Sequence, residues 1–254
     1  MEGPSLFLAE EQLILFKGKK IKIVSGNTKV GKERFTNKIV IDIFSWGKHL
    51  VFQFDDFAMR IHFLLYGTFE ANINGSSITG DYKKSQTPRL KFEFDNGDIT
   101  FFNCSIKIFE TSNLKRDYDY SISIMSKKFD PDKAFQQIKD QEDEEIDDVL
   151  LDQTIFAGVG NIIKNEVLFL TRLNPKEKIS NLEDAKIKEL INTSVNFSKL
   201  FCELRKKYEL KKNLKIYRKS ICPNCGGKVT WETTGKFKRK SFYCKVCQNL
   251  LGNT

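Results

Sequence analysis

The sequence predicts an α+β protein: an N-terminal antiparallel β-sandwich flanked by helices, then a helical region, then a small cysteine-rich hairpin. Three observations carry this prediction. Apolar residues alternate with period two between about 21 and 109, their spacing becomes helical beyond residue 133, and two C-x-x-C pairs stand near the C-terminus. A chain of 254 residues can hold one large domain or two modest ones, each with its own core.

The first element is a helix from residue 5 to about 17, with Leu6, Ala9, Leu13 and Phe16 at helical spacing and Gly18 ending it. Strands follow. Leu50, Phe52 and Phe54 alternate with Val51 and Gln53, and Leu90, Phe92 and Phe94 alternate with Lys91 and Glu93. Asp95-Asn96-Gly97-Asp98 reads as a hairpin turn, with Asn-Gly supplying positive φ. The β pattern stops between Asp117 and Asp132. Helical stretches then cover Val149–Phe156, Ile162–Leu170 and Leu182–Leu204, while the acidic run Asp140–Asp148 reads as a solvated helix face or helix start. These boundaries divide the chain into 1–115, a linker 116–130, a helical domain 131–215 and a terminal finger 216–254.

Lys and Arg total 42 against 33 acidic residues, a formal charge of +9 that favours a polyanionic partner without choosing between DNA, RNA and an anionic membrane. No apolar run approaches the roughly 18 residues that span a bilayer. Glu2, Glu10 and Glu11 occupy the place where a signal peptide needs a basic start and an apolar run, so a soluble intracellular protein is expected.

Cys222, Cys225, Cys244 and Cys247 have the spacing C-x2-C-x18-C-x2-C, which brings four thiolates to one tetrahedral ion when two knuckles face each other. One structural zinc is expected; a redox dithiol is the other use of such pairs. Between the knuckles, Lys236-Phe237-Lys238-Arg239-Lys240 forms a basic tip, either solvated or placed to meet phosphates.

Residues 151–166, LDQTIFAGVGNIIKNE, read as two helices joined by a turn that needs Gly158 and Gly160. Asn161 begins the second helix, where free backbone N–H groups make an anion site. Taken alone, this could be a plain helical hairpin. The 16-residue run resembles the helix–two-turns–helix signature of the formamidopyrimidine-DNA glycosylase/endonuclease VIII family. Met1-Glu2-Gly3-Pro4-Ser5 is similar to that family's N-terminal Pro-Glu-Gly-Pro signature, and Trp46-Gly47-Lys48-His49 to its lysine-bearing hairpin. Arg239 before Ser241-Phe242-Tyr243-Cys244 resembles its zinc finger, so the likeness spans almost the whole chain.

The resemblance implies a base-excision-repair DNA glycosylase for oxidised bases, monomeric, with damaged or abasic DNA held between a β-sandwich and a helix–two-turns–helix domain bearing a zinc hairpin. It implies an N-terminal amine that attacks the sugar C1′ and permits β-elimination, Glu2 as general acid/base, and Lys48 on the phosphate beside the lesion. On sequence alone Lys48 is a solvated hairpin lysine. Gly160, Asn161, Lys238 and Arg239 would bind DNA.

Met1 stands where the family has Pro, and Glu at the second position disfavours methionine removal, so the Met1 amine is the expected nucleophile. An ordinary α-amine, with a pKa of about 7.7–8.0, keeps a usable neutral fraction at pH 7. Excision without strand cleavage, and a catalytically silent binder of damaged DNA, remain the alternatives. An unrelated zinc-ribbon RNA-binding module is a third.

In Ile61–Gly67 the Leu-Tyr-Gly stretch resembles the void-filling loop of the endonuclease VIII branch, making Leu64, Leu65 and Tyr66 the candidate wedge; otherwise this is a core strand ending in a turn. Residues 206–214 look short for the capping loop of purine-selective relatives, which favours oxidised pyrimidines or open DNA. The segment 205–219 adds eight basic residues against Glu209. His49 and His62 are read as structural or phosphate-facing.

Overall fold

In the computed structural model, which describes residues 1–80, 87–110 and 118–250, the chain forms two compact units, Met1–Asp119 and Tyr120–Thr254. Residues 116 and 117 of the expected linker, and the ends of the flanking segments at 111–115 and 251–254, lie outside the described residues.

The first unit opens with helix α1 (Gly3–Leu13). Pro4 sits in its first turn, where a missing N–H costs no intrahelical bond, and Leu6, Ala9 and Leu13 are buried, as is Phe16 in the 3-10 turn that follows. Among the described residues seven strands follow: β1 (Ile23–Ser25), β2 (Asp42–Trp46), β3 (His49–Gln53), β4 (Ala58–Ile73), β5 (Ser76–Thr79), β6 (Leu90–Phe94) and β7 (Gly97–Phe109). They pair antiparallel in the order β1-β6-β7-β4-β3-β2, with β5 on β4.

The two long strands serve both layers. The first half of β4 pairs with β3 and its second half with β5, while the first half of β7 pairs with β6. Phe52 of β3 meets Phe92 of β6 and Phe101 of β7, with ring centroids 6.3 and 5.7 Å apart, although β3 and β6 share no ladder. The layers therefore close as a sandwich around an aromatic core.

The expected turn after β6 differs in detail. Phe94 pairs with Gly97, so the turn residues are Asp95 and Asn96, and neither Asn96 nor Gly97 has positive φ. Gly97 answers a different need: a Cβ there would lie 2.0 Å from the Asn72 carbonyl oxygen. The Asn-Gly turn with two positive φ angles is Asn74-Gly75, between β4 and β5.

The second unit holds α2 (Pro131–Lys139), α3 (Ile146–Leu151), α4 (Asn161–Leu170), α5 (Asp184–Lys206), the short α6 (Leu210–Asn213) and the hairpin β8 (Thr230–Thr234)–β9 (Arg239–Tyr243). Asp130 caps α2, accepting from the Asp132 and Lys133 amides at 3.0 Å, with Pro131 as its first helical residue. Phe156, Ile163, Val167 and Leu190 belong to the helical core; Phe169 of α4 packs with Ile216, Cys222, Val229 and Cys244 in a smaller one.

The acidic run is not a solvated face throughout, since Asp147 and Asp148 are 0% and 4% exposed. Among the described residues no helix is long and apolar enough to cross a membrane.

Because Phe52 bridges the sandwich layers, Phe52→Ala is expected to lower stability by about 3–5 kcal/mol. Urea unfolding followed by circular dichroism checks this, and an unchanged midpoint would contradict the layer assignment.

Candidate functional site

The start of the first unit is built on α1. Glu2, itself buried, stands at the N-cap position, and its carbonyl oxygen accepts from the Ser5 and Leu6 amides at 2.9 and 3.2 Å. Met1 packs against the sandwich core. Lys48 is the second residue of the two-residue turn joining β2 and β3, where Gly47 has a φ of +54° and Trp46 pairs with His49.

His62 of β4 lies within reach of the charges of Lys48 and the amino terminus. Its imidazole hydrogen-bonds the Lys48 backbone, and its pKa is lowered first by burial and then by the positive charges of Lys48, the amino terminus and Arg60. His49 stacks on Trp46 and meets His62 edge-on at 5.6 Å. Burial, followed by Arg60, His62 and Lys48, pushes His49 down to about 4.

Farther along β4, the register against β7 jumps from Phe63↔Cys104 to Thr68↔Phe102, leaving Leu64–Gly67 opposite Asn103 alone. The bulge is braced. Asn103 Nδ2 donates to the Leu65 carbonyl at 2.6 Å, and a Cβ on Gly67 would lie 2.4 Å from the Asn103 oxygen. Tyr66 takes a φ of +62°. The result presents Leu64, Leu65 and Tyr66 outward, 45%, 71% and 51% exposed, while Ile61 and Phe63 enter the core.

In the second unit, Gly158 has the positive φ, +109°, that the turn before α4 requires. Gly160 is extended at the N-cap, with a φ of −119° that any residue adopts. The Asn161 side chain donates to the Lys240 carbonyl at 3.0 Å, and its Oδ1 is buried without a hydrogen-bond partner among the described residues. Asn165 donates to the same carbonyl at 3.3 Å and accepts from the Phe242 amide at 2.5 Å. The backbone of β9 is thereby seated on the first turn of α4.

Beneath this contact lies a buried ionic network. Lys164, 0% exposed, donates to Ser241 Oγ at 2.5 Å and stands 3.6 Å from the Asp147 carboxylate, which also accepts from the Thr234 hydroxyl. Burial pulls Lys164 down to about 8 against the opposing attraction of Asp147, and burial raises Asp147. Asp148 accepts from the Lys236 and Phe237 amides at 2.8 and 3.2 Å, fixing the hairpin tip. Glu166 accepts from the amides of Lys215, Ile216 and Tyr217. Lys238, with a φ of +49°, and Arg239 are exposed at the tip.

The sulfurs of Cys222, Cys225, Cys244 and Cys247 lie within 4.8 Å of one another, the Cys222–Cys247 and Cys225–Cys244 pairs at 3.8 and 3.5 Å. A disulfide needs about 2.05 Å. A tetrahedral ion with metal–sulfur bonds of about 2.3 Å sets sulfurs about 3.8 Å apart, so the set fits a four-thiolate metal site. Gln248 holds the second knuckle, accepting from the Cys244 amide and donating to the Leu173 carbonyl.

The formamidopyrimidine-DNA glycosylase H2TH domain matches residues 122–205. Mouse endonuclease 8-like 3 is 31% identical over 84% of this chain and 35% of its own length. The formamidopyrimidine-DNA glycosylase of Lactococcus lactis is 24% identical over 85% of this chain and 84% of its own. The crystal structure of the Lactococcus lactis glycosylase non-covalently bound to abasic-site DNA superposes with a TM-score of 0.82, at 22% identity, covering 98% of this chain and 100% of that one. Residues 122–205 thus carry the family's H2TH domain, and the chain as a whole has the fold of a formamidopyrimidine-DNA glycosylase. Its sequence is more similar to the endonuclease 8-like 3 relatives than to the Lactococcus lactis enzyme, and it spans about a third of the length of the former.

Against this family's pattern, the structure sets His62 within reach of the charges of Lys48 and the amino terminus, exposes all three candidate wedge residues and gathers the four cysteines. It also shows what the sequence reading missed: His62 on the Lys48 backbone, and Asp147, Asp148 and Lys164 as supports of the finger. Asp147 and Asp148 hide in an acidic run, where charge pattern alone says solvent. Lys164 and Glu166 lay within the 16-residue signature but carried no separate signal.

Lys164→Met would strand a buried carboxylate and is expected to cost about 3–5 kcal/mol. Adding Asp147→Asn should recover most of that in thermal unfolding; a double variant no better than the single would contradict the pairing. His49 supplies a pH test. Its folded pKa of about 4 lies below its unfolded value of 6.5, so its contribution is full above pH 6.5 and is lost as pH falls towards 4. His49→Gln should flatten the stability loss across this window in urea titrations; an equal loss in both proteins would refute the assignment.

Proposed function

We propose that this chain is a base-excision-repair DNA glycosylase acting on damaged or abasic DNA, with oxidised bases as its substrates and the Met1 amine as the nucleophile. What supports the reading is the likeness of fold and sequence to these glycosylases, with the amino terminus and Lys48 both close enough to His62 for their charges to act on it. A neutral primary amine attacks C1′ as the base leaves, Glu2 moves the proton, and the resulting Schiff base permits β-elimination. Lys48 on its tight turn holds the adjacent phosphate.

Leu64, Leu65 and Tyr66 on the braced bulge fill the gap left by the extruded nucleotide. Asn161 uses one amide hydrogen on Lys240 and offers the other, with the free N–H groups of the α4 start that follows Gly160, to a phosphate. Lys238 and Arg239 add charge-assisted contacts from the hairpin tip. Zinc suits the four-thiolate set and leaves no open position, so it acts structurally, holding the knuckles that carry β8 and β9. A second reading, a silent binder of damaged DNA, is favoured by Met1 in the family's Pro position.

Glu2→Gln is expected to lower base release from oxidised-pyrimidine DNA by about 10²- to 10⁴-fold while leaving binding to an abasic analogue intact. Undiminished release would remove Glu2 from the mechanism, and a wild type that binds without releasing any base would establish the silent binder. Cys244→Ser should lose zinc in elemental analysis and weaken DNA binding; unchanged metal content would refute the four-thiolate site.

A further inference from the structure

Trp46 closes the turn that carries Lys48, and it is also tied to the far end of the first unit. Its indole Nε1 donates to the Asp119 carbonyl at 2.8 Å, 73 residues along the chain. The Tyr118 ring lies 5.2 Å from it and meets Phe44 edge-on at 5.7 Å. Phe44 and Trp46 stand two residues apart on β2 and so share a face. Phe44 is buried with Val51 and Ala58 in a satellite cluster on which Tyr118 packs. Residues 118 and 119 belong to no helix or strand; ring contacts and the indole bond seat them on β2.

From Trp46 the contacts continue into the turn. Trp46 pairs directly with His49 across the hairpin, and their rings stack at 6.0 Å and 21°. His49 meets His62 at 5.6 Å, and the His62 imidazole hydrogen-bonds the Lys48 backbone. A row of rings thus starts at the Asp119 carbonyl, passes through Trp46, His49 and His62, and returns to Lys48. Only Gly47 and Lys48 span the turn, with Gly47 at a φ of +54°. In so short a loop the lysine's origin moves only when the closing pair moves. Trp46 is half-buried and stands outside the sandwich core, so its ring adds little to that core. A Phe in its place would supply the ring without the N–H that reaches Asp119.

We infer that Trp46 is a positioning residue for Lys48: anchored on Tyr118 and Asp119, it clamps the tight turn through its stack on His49 and so fixes where the ammonium meets a phosphate. The inference rests on the phosphate role proposed above for Lys48 and deepens it. Lysine is flexible along its four-carbon stem, so what the clamp supplies is the origin from which it reaches. A displacement of about 1 Å at such an origin costs up to about 10²-fold in rate. The clamp uses the last residues of the first unit, which makes the position of Lys48 sensitive to how the chain leaves that unit.

Two readouts test this in the whole chain: single-turnover base release from oxidised-pyrimidine DNA, and the salt dependence of binding to an abasic analogue. Lys48→Ala should lower the slope of log affinity against log salt by about 0.9, the share of one phosphate contact. Trp46→Leu changes no charge, yet it should move the slope in the same direction and slow release by about 10- to 100-fold. Trp46→Phe, which keeps the stack, should show a smaller part of both effects. Once the ammonium is gone nothing is left to position, so Trp46→Leu should add nothing in the Lys48→Ala background. A wild-type slope in Trp46→Leu, or losses that multiply in the double variant, overturns the inference. Should Trp46→Leu fail to fold, Tyr118→Leu, far along the chain from the turn, is read by the same criteria. An unchanged slope in Lys48→Ala overturns the phosphate role itself, and a wild type that binds without releasing base leaves the slopes to decide.

Discussion

The second unit depends on a lysine that is wholly buried. Lys164 carries its ammonium from α4 into the interior because Asp147 of α3 and Ser241 of β9 meet it there, and the same carboxylate engages Thr234 on the opposite strand of the hairpin. Removing a charge from water costs several kcal/mol, so this arrangement holds only while all its members are in register. Register is what the surface above it needs. The Lys240 carbonyl must fall on Asn161 and Asn165, and Arg239, one residue earlier on β9, is thereby aimed from a fixed strand. The four cysteines close the far end of the same hairpin, and Asp148 grips its tip.

The first unit solves a different problem, that of presenting apolar side chains to solvent without letting them collapse. In a regular strand Leu65 would share the face of Phe63, two residues earlier, and be buried with it. The bulge avoids this by placing four residues opposite one, with Gly67 allowing the close approach and Asn103 holding the loop's carbonyl. Within the proposed function this rigidity matters energetically, because a wedge already in place does not pay ordering entropy when DNA arrives. The short Gly47-Lys48 turn would serve the proposed phosphate contact in the same way, its backbone tied to His62.

Much of this was legible in the sequence. Period-two alternation located β3, β6 and β7, and the C-x-x-C spacing gave the sulfur cluster, because both signals are local and repeat. Asn161 was legible through a 16-residue run whose glycines mark a turn, although only Gly158 needs its freedom there. The turn at Asp95-Asn96 was misread in type because the close approach of Asn72 to Gly97 is a tertiary contact with no local trace. Asp147 and Asp148 do stand at a helix start, as one reading of the acidic run had it, but their burial left no local trace, because it depends on partners 17 to 94 residues away, Lys164 and Ser241 among them. His62 was invisible in its place beside Lys48 because a lone histidine in a strand has no spacing to betray it.

The proposal turns on whether a primary amine on Met1 does the work that a secondary amine on Pro does in the family's pattern. Both can form a Schiff base with the opened sugar. Borohydride reduction of the protein mixed with abasic-site DNA, followed by mass mapping of the cross-linked peptide, examines that step directly. The account predicts a stable adduct on the α-amine of Met1. Abasic DNA bound without any adduct at Met1, or an adduct confined to a lysine side chain, would contradict it.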